Sequence, residues 1–284
     1  MTHRVTFLDV FTDTPLAGNG LAVVHDADGV DDETMQRFAV ETRQSETTFL
    51  QSASDSEADY RNRIFTVGSE IPFAGHPSLG TAVAVARERG ETEASYTQET
   101  GSGLQPIEVR IEGDRAHASM LQDPAEFGEE MDAAGAMGAA GLGPDDAHPE
   151  LPPQVVSTGL PTLIAMVATA EAMGRARPDF DAIDELLGVE DSPNFYLAWW
   201  DPDAEKARAR MFARIVVGGE DPATGSAAGP LCAYLSERAG AKRVEITQGV
   251  EMGRPSLLET EIEGERIRVG GGVVPIVDGE VRLS

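Results

Sequence analysis

The sequence predicts an α+β protein built as two pseudo-symmetric domains, each a mostly antiparallel set of strands wrapped around one central helix. Three observations predict it. Segments recur at a nearly constant offset: "RNRIFT" (61–66) matches "RARMFA" (208–213), "AGHPSLGTA" from Ala74 is echoed by "TGSAAGPLCA" from Thr224, and "IEGDRAHA" (111–118) matches "IEGERIRV" (262–269), at offsets of 147, 150 and 151. Short β-branched, alternating runs bounded by turn residues recur within each half. Each half also holds one apolar, alanine-rich helical run that starts at a glycine motif.

Taken in order, "HRVTFLDVF", "GLAVVHD", "ETTFLQ", "RNRIFTV", "IEVRIEG" and "RAHASM" read as strands. "DDETMQRFAVETR" places Met35, Phe38 and Ala39 at helical spacing behind an acidic first turn. "PSLGTAVAVARERG" is a helix with basic residues in its last turn and a stop at Gly90. The first domain is expected over residues 1–125, a linker over 126–150 and the second copy over 151–284. The linker is rich in Gly, Ala, Pro and acid, with one weak helix between Glu129 and Ala140.

Composition excludes several classes. Hydrophobic content of 41% and charged content of 25% are those of a soluble globular chain. No run of eighteen apolar residues is present, so no membrane span is expected. "MTHRVTFLDVFTD" lacks an export pattern, so a cytoplasmic location is expected. Forty-nine acidic residues against 22 basic ones give a net charge of −27, and only Lys206 and Lys242 are lysines. Such a field repels nucleic acid and anionic membranes. An acidic, lysine-poor surface is the halophilic pattern, in which salt screens the self-repulsion.

The two glycine motifs carry the candidate chemistry. A helix N-terminus presents unpaired N–H groups and about half a positive charge, so it holds a small carboxylate without lysine or arginine. Glycines at 75, 80, 225 and 229 allow close backbone approach. The same features also suit tight turns before buried helices, and the motifs alone leave both open. "GEDPATGS" lacks the lysine of a phosphate loop. His76, between Gly75 and Pro77, is either a helix cap or a group that gives and takes protons near neutral pH. Asp221, before Pro222, is a cap or a second carboxylate in a cleft. Glu46 shares a strand face with Thr48 and Leu50, so it is either solvated at a strand end or held in a cleft. The histidines have no ligand spacing, and the single cysteine, Cys232, excludes a thiolate cluster, so no metal site is expected.

"SETTFL", "FAGHPSLGTA" and "EDPATGSAA", in that order, together with "FTDTPLAGNGLAVV", closely resemble the PhzF-like phenazine-biosynthesis isomerases of the diaminopimelate-epimerase fold class. The resemblance covers essentially the whole chain. It implies an active site between the two domains, a homodimer, and a last strand near 281–283 that returns to the first domain. It also implies that Glu46 is the general acid/base, that His76 and Asp221 assist proton delivery, and that Gly75, Gly225 and Ser226 cradle the substrate. No cofactor is implied. Two-thiol racemases of the fold place a cysteine on each face of the substrate. Here the motifs carry Gly-His and Gly-Ser, and Cys232 lies in the second helix. Two departures stand out: "GNG" at 18–20 where "GNP" is common, and Pro77 where alanine is usual. The expected function is a cofactor-independent isomerase moving a proton on carbon of a small carboxylate-bearing metabolite. A non-catalytic binder of small carboxylates is the alternative, and it gives Glu46 no task.

Overall fold

The computed structural model describes residues 1–188, 194–214 and 216–283. They form two compact units: residues 1–121 with 270–284, and residues 122–269.

The first unit contains β1 (Thr2–Val10), β2 (Asn19–Val24), α1 (Asp32–Thr42), β3 (Glu46–Gln51), β4 (Tyr60–Phe65), β5 (Glu70–Ile71), α2 (Gly75–Arg89), β6 (Glu93–Thr100), β7 (Gly103–Glu112) and β8 (Arg115–Gln122). β1 pairs antiparallel with β2, β2 parallel with β3, β3 antiparallel with β4, and β4 antiparallel with β5 and parallel with β6. β6, β7 and β8 then run antiparallel. α2 is buried along its whole length from Gly75 to Ala86, which is why its sequence is apolar all round rather than striped. Gly90 ends it in the left-handed region at φ 69°. α1 instead buries one face through Met35 and Ala39, in a cluster with Val24, Phe49 and Phe65.

The second unit contains β9 (Glu126–Glu130), α3 (Ala133–Ala139), β10 (Gln154–Ser157), β11 (Pro161–Met166), α4 (Ala170–Arg175), α5 (Phe180–Leu187), β12 (Asn194–Asp201), β13 (Lys206–Phe212), β14 (Glu220–Asp221), α6 (Gly225–Ala239), β15 (Arg243–Gln248), β16 (Ser256–Glu263) and the start of β17 (Arg266–Arg282). Its wiring repeats the first: β10 antiparallel to β11, β11 parallel to β12, β12 antiparallel to β13, β13 antiparallel to β14 and parallel to β15, β15 antiparallel to β16. α6 has the 15 residues of α2 and the same stop, Gly240 at φ 74°.

The repetition reaches side chains. Arg63 of β4 grips Glu70 of β5 with two bonds of 2.8 and 2.6 Å and lies 5.2 Å from the centre of the Phe65 ring. Arg210 of β13 grips Glu220 of β14 with two bonds of 2.8 Å and lies 4.9 Å from that of Phe212. A two-pronged guanidinium–carboxylate pair fixes both partners in one plane. Each copy therefore pins the short strand that delivers the chain to its long helix.

Two expectations are corrected. The stretch read as a linker is folded: β9 pairs with β10, and Ala136, Met137 and Ala139 of α3 enter the core of the second unit beside Leu163 and Phe195. The alanines and the methionine of α3 supply enough apolar surface to dock against α5, which the low-complexity appearance of the stretch hides. The expected helix over 129–140 is shorter, because Glu129 and Glu130 belong to β9. In the "GNG" segment, Gly20 lies within β2 opposite Asp9, and the turn falls at Gly18, where φ is 66° and a Cβ would lie 2.4 Å from the Val10 carbonyl. At the other end of the chain β17 pairs with β1, Thr2 opposite Arg282.

Candidate active site

In the first unit, β2 and β3 run parallel with Leu21 opposite Glu46, so Glu46 stands at the start of its strand, level with the entry to β2. The β5 turn then delivers Gly75 and His76 as the first two residues of α2. This brings Glu46 and His76 together. Their Oε2 and Nε2 atoms are 3.2 Å apart, with 17% of the glutamate side chain exposed and 6% of the histidine. On the far side of the ring, the Asn19 amide nitrogen lies 3.3 Å from His76 Nδ1.

Burial pushes the His76 pKa down to about 3, and a backbone hydrogen bond to Gly20 offsets only part of this. His76 is therefore uncharged near neutral pH. The sequence allowed it a proton exchange of its own in that range. The structure leaves it as a neutral hydrogen-bonding group beside a carboxylate. Pro77 occupies the first turn of α2, where its missing N–H costs no helical bond. Asp9, 1% exposed, receives the Leu16 N–H at 2.6 Å and closes the loop before Asn19. Neither Asn19 nor Asp9 was singled out from sequence, although "GNG" marks the turn that buries Asn19.

In the second unit, Asp221 ends β14 and Gly225 and Ser226 start α6. Asp221 is buried, and its Oδ2 accepts the Thr224 hydroxyl at 2.6 Å. Gln248, at the end of β15 and fully buried, donates to the Asp221 carbonyl at 2.8 Å and to Thr224 Oγ1 at 3.0 Å. It accepts from the Thr224 N–H at 3.3 Å and from the Tyr196 hydroxyl at 2.8 Å. On the other side, Gln122 donates to the Gly225 carbonyl at 2.9 Å and accepts from Thr158 at 2.6 Å. Gly229 has no side chain for a packing reason: a Cβ there would fall 1.9 Å from Gln122 Oε1. Neither long helix is capped by the side chain of its N-cap residue, Ala74 or Thr224.

Among the described residues no three His, Cys, Asp or Glu side chains converge to hold a metal ion, and no helix is long and apolar enough to cross a membrane. Cys232 is buried in α6, and burial raises its thiol to about 11, so it is a core residue rather than a nucleophile.

Compared with known families, residues 8–279 match the family described as phenazine biosynthesis-like protein. The chain is similar to an uncharacterized isomerase of Mesorhizobium japonicum, 35% identical over 304 aligned positions that cover 99% of both chains. It is 33% identical to the trans-2,3-dihydro-3-hydroxyanthranilate isomerase of Pseudomonas aeruginosa, over 94% of this chain and 93% of the other. Among solved structures it resembles a predicted epimerase of Pseudomonas aeruginosa, with a TM-score of 0.86, 39% identity and coverage of 99% and 100%.

Proposed function

This chain belongs to the phenazine biosynthesis-like proteins and is an isomerase, and we propose that it moves a proton on carbon of a small carboxylate-bearing metabolite. In this reading Glu46 removes the proton and returns it. The observation that carries the reading is the Glu46–His76 pair, a half-buried carboxylate 3.2 Å from an uncharged imidazole. A neutral neighbour leaves the carboxylate its basicity, whereas an imidazolium at that distance would lower it. Taking a proton from carbon beside a carboxylate or an unsaturated system leaves negative charge on the substrate. A positioned N–H and a helix N-terminus stabilise charge of that kind. His76, beside Glu46, assists proton delivery. Gly75, Gly225 and Ser226 contribute backbone and hydroxyl contacts to the substrate, and Asp221 assists proton delivery. One base that removes and returns the proton needs no second thiol and no cofactor.

The compound named for the Pseudomonas aeruginosa relative is the first probe. Wild type and Glu46→Gln are incubated with it in D₂O and high salt, alongside small carboxylates from cell extract, and deuterium gained on carbon is scored by mass spectrometry. The expected result is label with wild type and a loss of at least about 10³-fold with Glu46→Gln, within the range for removal of a general base. Equal labelling would remove Glu46 from the mechanism. Retention of the same metabolite by both proteins without any labelling would favour the binding protein.

A further inference from the structure

We propose that Gln248, backed by Tyr196, is a positioning residue for the isomerase: it fixes the direction of a hydrogen-bond chain that ends on Asp221 and makes that carboxylate the acceptor of the Thr224 hydroxyl proton. The inference rests on the reading that Asp221 takes part in catalysis, but the chain itself is defined by geometry alone.

The argument starts from two groups whose polarity is beyond choice. The Thr224 backbone N–H can only donate, and the atom of Gln248 facing it at 3.3 Å must be the oxygen. The Asp221 backbone carbonyl can only accept, and the atom facing it at 2.8 Å must be the amide nitrogen. A flipped amide would set donor against donor and acceptor against acceptor in a fully buried place, where unpaired polar groups are costly. The orientation of Gln248 is thus dictated by the backbone on either side of Pro222–Ala223.

The remaining bonds then have one possible sense. Gln248 Oε1 has no proton to give, so the Tyr196 hydroxyl 2.8 Å away donates to it. Burial, with the Asp221 charge adding to it, raises the Tyr196 pKa, so this donor keeps its proton at working pH. The second proton of Gln248 Nε2 points to Thr224 Oγ1 at 3.0 Å, so that hydroxyl is already accepting. Its single proton goes to Asp221 Oδ2 at 2.6 Å. The same glutamine holds the residue before Pro222 and the N-cap of α6, so it also sets the height at which Gly225 and Ser226 begin the helix. Parallel pairing of β13 with β15 brings Gln248 to that height, opposite Ala209. A leucine at this position would fill the space but leave the loop free to choose its own hydrogen bonds.

The test has a substrate-free arm and a kinetic arm. Neutron diffraction on crystals exchanged into D₂O should place the Thr224 deuteron toward Asp221 and the Tyr196 deuteron toward Gln248. A Thr224 deuteron pointing at Gln248 would overturn the proposal. In the isomerase assay, Gln248→Glu puts a second acceptor opposite Thr224 and draws its proton away. The expected result is a kcat lowered about tenfold or more with KM changed less than about twofold, as for misplacement of a group acting in the transition state. Thr224→Val should behave the same way, and Thr224→Ser, which keeps the hydroxyl, should recover most of that loss. Loss confined to KM, or failure of serine to recover more than valine, would make the cluster a structural brace and overturn the positioning role. If Asp221→Asn is fully active while the deuterons lie as stated, the catalytic reading of Asp221 has failed and not the chain's direction.

Discussion

α2 and α6 start after the same strand arrangement, run for the same length and stop at glycines 150 positions apart, yet their first turns carry different chemistry. At the start of the strand that runs parallel to its predecessor, the first unit has Glu46 opposite Leu21 and the second has Asn194 opposite Thr162. Beside the helix the first has His76 and the second Ser226. Opposite the end of the pinned strand, Ile71 of the first unit stands where the second has Asp221. The duplication keeps what builds the backbone, including the Arg–Glu pair over a phenylalanine. It divides the polar groups, giving the first helix start the Glu46–His76 pair and the second a braced carboxylate. Backbone repetition fixes where chemistry can occur, and a handful of side chains decides which chemistry it is.

The largest difference between the copies should appear at the two arginines. Arg210 has 7% of its side chain exposed and also donates to the Met173 and Ala176 carbonyls, while its partner Glu220 is 15% exposed. Arg63 turns its third bond to the exposed Asp32, and its partner Glu70 is 41% exposed. Arg210→Ala strands a carboxylate that is largely shielded from water and should cost about 3–5 kcal/mol in urea unfolding. Arg63→Ala should cost about 1–2 kcal/mol, because water reaches Glu70. Equal losses would break the comparison. Next in size is Gly229→Ala, whose methyl group collides with the glutamine that holds the start of α6. A loss of about 1–3 kcal/mol is expected on thermal melting, and an unchanged midpoint would remove Gln122 as a brace.

The smallest effect concerns pH. His76 is a base whose pKa falls on folding, so the unfolded chain binds a proton that the native state refuses. Its contribution to stability is intact above about pH 6.5 and declines as pH falls toward 3. Relative to His76→Gln, wild type should lose about 1 kcal/mol between pH 7 and pH 5.5. Parallel pH curves for the two proteins would show that His76 is not held neutral by burial.

Much of this was legible in the sequence. β3 begins and ends where the alternation of "ETTFLQ" does, and the first long helix stops at Gly90 as its sequence marks. The two helix starts were legible too, because glycine, histidine and aspartate at such a place have local reasons to be there. Gln248 was not. A glutamine at the end of a strand carries no local signal, and its importance arises only when parallel pairing brings β15 beside β13, some 40 residues earlier in the chain. Asn19 was hidden in the same way, because its partner His76 is 57 residues away. The folded stretch 126–150 was missed because glycine and alanine look like a linker until something packs on them.

The central claim is that the two helix starts have unequal roles, with the proton carried by one of them. It is tested most directly by the rate of deuterium incorporation into the isomerised carbon for Glu46→Gln and Asp221→Asn side by side. The account predicts no measurable incorporation with Glu46→Gln, and incorporation slowed by about 10- to 100-fold but still present with Asp221→Asn. Incorporation that survives in Glu46→Gln and vanishes in Asp221→Asn would place the proton on the other helix start and contradict the account.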